Sequence, residues 1–238
     1  MSKLAALDHL LQRYKALNYH QDPVLFQRLQ DVQHWQKARL KDSHQTLFAK
    51  KNNQLMAQYF VNRLYGGPDF DILAQQIERL LKYAHKAEPL IPEHAIKTGT
   101  HGIELSILAV ELDEQVAQQL IRNYPIDQAL TDEMMRQTYI DLQQADARLK
   151  QLAMADEFGY YLDQHLRSFI VQTAFKMCKS VAYKHQFQEM YDFMHEGFAA
   201  LKPLKSAEDF VKTFSQQERQ VIEKVHNGHL NPFRFAEQ

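Results

Sequence analysis

Residues that interrupt helices are scarce in this chain, which has seven glycines and seven prolines among 238 residues. Glycine weakens helices through its backbone entropy, and proline lacks the N–H donor that a helix interior needs. Strand signals are equally weak, because no alternating run of β-branched residues stands out and no Asn-Gly or Asp-Gly turn joins two such runs. The sequence predicts an all-α fold, a single-domain bundle of roughly seven to nine helices.

Composition narrows the classes of protein to which the chain can belong. Apolar residues make up 45% of the sequence, which suffices for a sizeable core, and the net charge is −1. Without a basic excess, we expect no nucleic acid partner. One cysteine excludes an internal disulfide framework, and no apolar stretch reaches the roughly 18 residues of a transmembrane helix. We therefore expect a cytoplasmic protein, since the N-terminus also lacks a signal-peptide core.

Helical periodicity divides the first part of the chain into three helices. The first is predicted over Ser2–Tyr19, and the second begins at Pro23, with Asp22 as its cap, and runs to about Phe48. A third helix covers about Asn53–Tyr65 and stops at the glycine pair that follows it.

Longer segments make up the rest of the chain. Thr98–Gly102 is interpreted as a loop before a helix over Ile103–Asn123, and Thr131 begins a helical stretch that reaches about Met190. We expect that stretch to bend near Gly159 and again near Tyr183–His185. The predicted domain spans residues 1–228, with a candidate subdomain junction near 89–100 and a flexible tail over 229–238, in which Phe233 and Phe235 are candidates for docking.

An aromatic segment ends the third predicted helix: Tyr59-Phe60-Val61-Asn62-Arg63-Leu64-Tyr65, followed by Gly66-Gly67-Pro68-Asp69-Phe70. It resembles the signature of the FFLEELY-motif family of uncharacterised proteobacterial proteins. Three further segments are similar to that family in order and spacing: Trp35-Gln36-Lys37-Ala38-Arg39-Leu40, Asp192-Phe193 to Gly197-Phe198, and Glu218-Arg219. Asn62 and Arg63 depart from the acidic residues of the family pattern. The resemblance implies a helical cytoplasmic protein of unassigned function and carries over no catalytic residue.

The chain has many aromatic and methionine residues and few arrangements of residues typical of catalytic sites, which favours a binding protein over an enzyme. We predict that it binds an apolar small molecule between its helices or offers a groove to a protein partner, with a homodimer left open. If a pocket exists, we expect Trp35, Tyr59, Phe60, His165 and Phe169 near it. Three of these residues have a structural alternative: Tyr59 and Phe60 as core anchors, and His165 as a partly buried core histidine rather than a haem ligand or general base.

A helical metalloenzyme or haem protein is the alternative function, and the sequence assigns neither a cofactor nor a metal site. Three acid-x-x-His pairs put a carboxylate and a histidine on one helix face: Asp31/His34, Asp192/His195 and Glu223/His226. Helical bundles hold di-iron centres with such pairs, but solvated polar faces give the same spacing. Neither reaction nor ligand follows from this pattern.

The segment from Arg167 to His185 contains four positive side chains besides its terminal histidine and no acidic one. Aromatic residues are interleaved with these charges. We interpret the segment as a solvated basic face, with contact to an anionic surface or to a nucleic acid backbone as the alternative. Its single cysteine, Cys178, is expected to be a small core residue rather than a reactive thiol.

Overall fold

The computed structural model describes residues 5–65, 69–83 and 93–234, and these ranges contain helices and no β-strand. The α-helices are α1 (Ala5–Lys15), α2 (Pro23–Ser43), α3 (Gln45–Phe48), α4 (Gln54–Tyr59), α5 (Asp69–Tyr83), α6 (Glu93–Asn123), α7 (Asp132–Leu142), α8 (Ala145–Tyr161), α9 (Phe169–Met177), α10 (Lys179–Lys184), α11 (Gln188–Leu201) and α12 (Ala207–His226). A 3₁₀-helix covers Asn18–His20, and π-helices extend α4 (Phe60–Leu64) and α8 (Leu162–Leu166). The all-α prediction is confirmed, whereas the predicted count of seven to nine helices was too low.

Side-chain caps begin three helices, two of them at starts that the sequence predicts. The Asp22 carboxylate accepts hydrogen bonds from two backbone N–H groups in the first turn of α2, at 3.0 and 3.1 Å. Thr131 caps α7 and Ser206 caps α12 in the same way, each through its hydroxyl oxygen. These contacts satisfy donors that a helix leaves unpaired at its N-terminus.

The predicted loop at Thr98–Gly102 is wrong, because α6 runs through it without interruption. Gly102 serves packing rather than a turn: a Cβ atom at this position would lie 3.0 Å from the Phe158 ring of α8. Two helices can approach this closely only where one of them lacks a side chain. The subdomain junction proposed near 89–100 falls partly outside the described residues, and its described end belongs to α6.

The predicted long helix after Thr131 is divided into several helices, which explains the higher count. Gln143 adopts a left-handed conformation (φ 51°) that ends α7. Gly159 stays inside α8, where a Cβ atom would lie 2.9 Å from Val211, and the chain widens into a π-helix just after it. The break expected near Tyr183–His185 is present, since α10 ends at Lys184.

Helix α6 lies at the centre of the fold and packs against α1, α2, α7 and α8. Helix α8 lies along α12, and α11 packs against α4. One core cluster joins α1, α2, α6, α7 and α12, and includes Val32, Val116, Leu120 and Met135. A second cluster joins α3, α4, the end of α11 and the start of α12. Burial of these apolar faces is the main stabilising contribution to such an assembly.

Arg28 and Phe233 hold two non-helical segments against the helices: the segment between α6 and α7, and the segment after α12. The guanidinium of Arg28 is fully buried and donates to the carbonyl oxygens of Pro125, Ile126 and Gln128 between α6 and α7. Phe233 is buried beyond the end of α12, with its ring 4.9 Å from that of Trp35. Within the described residues no helix is long and apolar enough to cross a membrane.

Candidate functional site

A cavity of about 600 Å³ lies among the helices and borders both core clusters. Its walls come from α2, α4, α5, α6, α8, α9, α11 and α12, and most of the lining side chains are aliphatic or aromatic. Small-molecule sites in proteins typically measure roughly 300–1,000 Å³ and have mostly apolar walls with a few polar groups. The size and lining of this cavity therefore match those of a ligand site.

Both π-helices form part of the cavity wall. Phe60 and Leu64 line it from the first π-helix, and Leu162 and Leu166 line it from the second. The wider turn is visible at the end of the first, where the Tyr65 N–H donates to the Phe60 carbonyl oxygen at 2.8 Å. π-Helical turns are rare and occur frequently at functional sites.

The aromatic signature segment contributes both to packing and to the cavity. Tyr59 donates its hydroxyl to the Phe193 carbonyl oxygen at 3.0 Å, and a Cβ atom on Gly197 would lie 2.9 Å from that hydroxyl. Gly197 thus allows α4 and α11 to approach closely. At the end of the segment, the Tyr65 hydroxyl donates to Asp113 at 2.6 Å. The glycine stop at Gly66–Gly67 lies outside the described residues.

Each of the four segments that carry the sequence resemblance reaches this cavity. The lining residues that they supply are Gln36, Arg39, Leu40, Tyr59, Phe60, Arg63, Leu64, Tyr65, Phe70, Phe193, Met194, Gly197, Phe198 and Glu218. These segments lie far apart in the sequence and meet only in the folded protein. Of the two departures from the family pattern, Asn62 is exposed and Arg63 forms an ion pair with Glu196 at 2.9 Å.

An ion pair between α2 and α12 forms one polar part of the wall. Arg39 binds Glu218 through two hydrogen bonds of 2.7 and 2.8 Å, and His44 lies 2.7 Å from the same carboxylate. Burial opposes ionisation of Glu218, but the charge of Arg39 and the hydrogen bonds from His44 and Arg39 outweigh it and lower the pKa of Glu218 to about 2. The carboxylate is therefore ionised at neutral pH.

A second buried ion pair joins α8 to α6. Arg148 donates to Asp113 at 3.0 Å, and its guanidinium carbon lies 5.6 Å from the centre of the Tyr139 ring. Burial acts to lower the pKa of Arg148, and the charge of Asp113 outweighs it, so the pKa is raised. Burial raises the pKa of Tyr139 to about 12 and that of Tyr65 well above its ordinary value. Both tyrosines are neutral hydrogen-bonding groups at physiological pH.

Two residues that line the cavity each have a buried polar atom with no hydrogen-bond partner among the described residues: Gln144 has Oε1, and Arg148 has Nε. Gln144 precedes α8, and its carbonyl oxygen accepts from the Arg148 N–H at 3.0 Å, so the two side chains are one helical turn apart. Buried polar atoms are almost always hydrogen-bonded in folded proteins. Other atoms without a partner, in Arg28, Asp156 and Ser215, belong to residues outside the cavity lining.

The structure brings two of the five predicted site residues to the cavity, Tyr59 and Phe60. Trp35 instead packs on Phe233 and donates its indole N–H to Asp132 at 3.1 Å. His165 is half-buried, with its ring 5.9 Å from that of Tyr161. Phe169 is 82% exposed.

Residues considered for metal or thiol chemistry lie apart from one another. Within the described part of the chain no three His, Cys, Asp or Glu side chains are grouped so as to hold a metal ion. Asp192 accepts hydrogen bonds from Tyr183 at 2.7 and 2.9 Å, and Asp31 lies beside Arg28. Cys178 is exposed, so its predicted place in the core was wrong: the short helices α9 and α10 bury no residue.

The sequence of the chain matches one known protein family. A family model described as a domain of unknown function, DUF8198, matches residues 16–232, and the chain belongs to that family. No curated protein and no solved structure matches the chain. Family membership therefore names neither a ligand nor a reaction.

The polar residues of the cavity were missed as site residues by sequence reasoning. Arg39 and Glu218 stand in two of the segments that the sequence analysis singles out, but nothing in the sequence indicates that they pair. Gln144 and Arg148 lie inside the long helical stretch predicted after Thr131, where polar side chains look like surface residues. Only the folded structure identifies these residues as site residues, because it shows that all of them line the same cavity.

Proposed function

We propose that the protein is a non-catalytic binding protein for an apolar small molecule, which it holds in the cavity between its helices. The cavity of about 600 Å³ with its aliphatic and aromatic lining is the observation that supports this proposal. Transfer of an apolar ligand from water into this cavity would lower the free energy by roughly 25 cal/mol for each Å² of its apolar surface that becomes buried. The π-helical turns at two places in the wall also support a functional cavity.

A matched pair of alanine variants tests this proposal. Ala155 of α8 lines the cavity, whereas Ala153 on the same helix is exposed and does not line it. Ala155→Phe places a ring in the cavity, and Ala153→Phe makes the same change outside. The probe is the neutral fluorophore N-phenylnaphthylamine, whose emission rises in apolar surroundings.

We expect the wild-type protein and Ala153→Phe to bind the fluorophore alike, and Ala155→Phe to bind it at least about tenfold more weakly, since the ligand loses both space and contacts. Circular dichroism checks that both variants fold. Native mass spectrometry of fresh wild-type protein looks for a bound molecule directly. If the wild-type protein does not bind the fluorophore, or if both variants bind it as the wild type does, the proposal is wrong.

A further inference from the structure

The polar part of the cavity wall specifies the chemistry of the ligand beyond its apolar body. Gln144 is 6% exposed, and the side chain of Arg148 is 13% exposed. Both residues line the cavity, and each has one buried polar atom that no described residue satisfies, an acceptor on Gln144 and a donor on Arg148. A ligand that satisfied both would need to donate one hydrogen bond and accept another at neighbouring positions.

Positive and negative charges are balanced along this part of the cavity wall. Three arginines line the cavity, and each has a carboxylate beside it: Arg148 is paired with Asp113, Arg39 with Glu218 and Arg63 with Glu196. An anionic head group would gain little from such arginines and would be repelled by their partners. A neutral head group avoids that repulsion.

We propose that the ligand is a neutral amphipathic molecule with a long apolar body and a hydroxyl head group, which is bound between Gln144 and Arg148. The hydroxyl oxygen accepts from Arg148 Nε–H, and its hydrogen is donated to Gln144 Oε1. The apolar body lies along the aromatic walls. This assignment rests on the proposed function, since it requires the cavity to be a ligand site.

Three probes with the same ten-carbon chain separate the head-group requirement from apolar burial: decanol, decyl methyl ether and decanoate. The ether retains the acceptor and lacks the donor, and decanoate at mildly alkaline pH is an anion with acceptors only. Each probe competes with N-phenylnaphthylamine for the cavity. We expect decanol to displace the fluorophore at a concentration about tenfold lower than either other probe, because leaving one buried acceptor unpaired is costly.

Gln144→Leu removes the acceptor and is expected to reduce the difference between decanol and its ether to about twofold or less. Gln151→Leu makes the same change at another residue that lines the cavity from α8, and should leave the tenfold difference intact. The wild-type comparison by itself decides the proposal if Gln144→Leu fails to fold.

Equal displacement by decanol and its ether from the wild-type protein, or a preference for decanoate, would overturn the head-group assignment while leaving the apolar cavity in place. Failure of all three probes and of the fluorophore would overturn the proposed function itself. Retention of the decanol preference in folded Gln144→Leu would also refute the role given to Gln144.

A second observation concerns the outer surface of α9 and α10. Phe169, Ile170 and Met177 are 82%, 78% and 78% exposed, and Val181 is 60% exposed. We call these four residues, together with the exposed lysines 176, 179 and 184, the α9–α10 face. Exposure of large apolar side chains in one place marks an interaction surface.

Charge and position indicate the partner of the α9–α10 face. The segment from 167 to 185 contains no carboxylate, and apolar side chains interleaved with lysines are typical of helices that lie on anionic membranes. The opposite side of α9 belongs to the cavity wall, since Val171 and Phe175 line it. We propose that the α9–α10 face docks on an anionic lipid surface, so that the cavity wall formed by α9 lies against the membrane.

The single cysteine of the chain provides the assay. Cys178 joins α9 to α10 and is exposed, so it takes a polarity-sensitive fluorophore without any engineered residue. Labelled protein is mixed with vesicles of phosphatidylcholine alone or with about one third phosphatidylglycerol, at low and at high salt. We expect a blue shift and co-flotation with the anionic vesicles only, weakened at least about tenfold by high salt.

Ile170→Ser should weaken vesicle binding about tenfold, because the membrane then loses a large apolar contact. Leu230→Ser is the matched control, since Leu230 is also 78% exposed but lies beyond α12. Equal binding to both vesicle types, no binding to either, or equal binding by both variants would overturn the membrane assignment. A dimer that dissociates on Ile170→Ser would likewise overturn it, in favour of an interface between two copies of the chain.

Discussion

Acid stability should depend on Glu218 more than on other carboxylates of its helix. Arg39 and His44 hold this carboxylate in a buried position, and its pKa falls from 4.5 to about 2 in the folded protein. A shift of this size corresponds to about 3 kcal/mol of stability, since each pKa unit is worth about 1.4 kcal/mol. Because the pKa is lowered on folding, this contribution is complete above the unfolded value of 4.5 and is lost as the pH falls towards 2.

The perturbation is Glu218→Gln, which has almost the same shape and cannot ionise. At neutral pH the variant should be about 3–5 kcal/mol less stable, because Arg39 is left buried without its counter-charge. As the pH falls to about 3.5, the wild-type protein loses roughly 1 kcal/mol of the Glu218 contribution and the variant loses none of it, so the two unfolding free energies converge. Glu223→Gln, on the exposed face of the same helix, is the control.

Urea unfolding followed by circular dichroism at a series of pH values measures these free energies. The quantity of interest is the difference between wild type and variant at each pH. A difference that stays constant from neutral pH to about 3.5, or one no larger than that of Glu223→Gln, would refute the reasoning, because the ion pair would then contribute nothing that depends on ionisation.

Other predictions concern packing and a buried charge. Gly197→Ala should destabilise the protein by about 1–3 kcal/mol, because the new methyl group would lie 2.9 Å from the Tyr59 hydroxyl oxygen. Gly99→Ala should stabilise it by up to about 1 kcal/mol, since this glycine lies inside α6 with open space around it. Thermal unfolding of both variants checks these opposite signs. Arg28→Ala should cost at least about 3 kcal/mol in urea unfolding, because three carbonyl oxygens lose their donor; an effect below 1 kcal/mol would contradict the role of Arg28 as a fastening residue.

Local sequence signals determined the helical class and several boundaries. Few glycines and prolines, apolar residues at helical spacing and the helix starts at Asp22 and Thr131 are local signals, so they can be recognised without the fold. The same reasoning placed a loop at Thr98–Gly102, because glycine weakens an isolated helix. Packing against Phe158 decided otherwise: close approach of α6 and α8 favours a glycine at position 102 and outweighs its poor helix propensity.

The sequence by itself predicted a binding protein for an apolar small molecule or a protein partner, and it placed Tyr59 and Phe60 among the candidate site residues because they belong to a conspicuous aromatic segment. Tertiary structure alone decided that these residues share a cavity with Arg39, Gln144 and Arg148. It also decided that Trp35 packs against the first core cluster and that Phe169 faces outward. The physical reason is that a cavity and its unpaired polar atoms arise between helices that are distant in sequence, whereas spacing along the chain reports only which face of one helix a residue occupies.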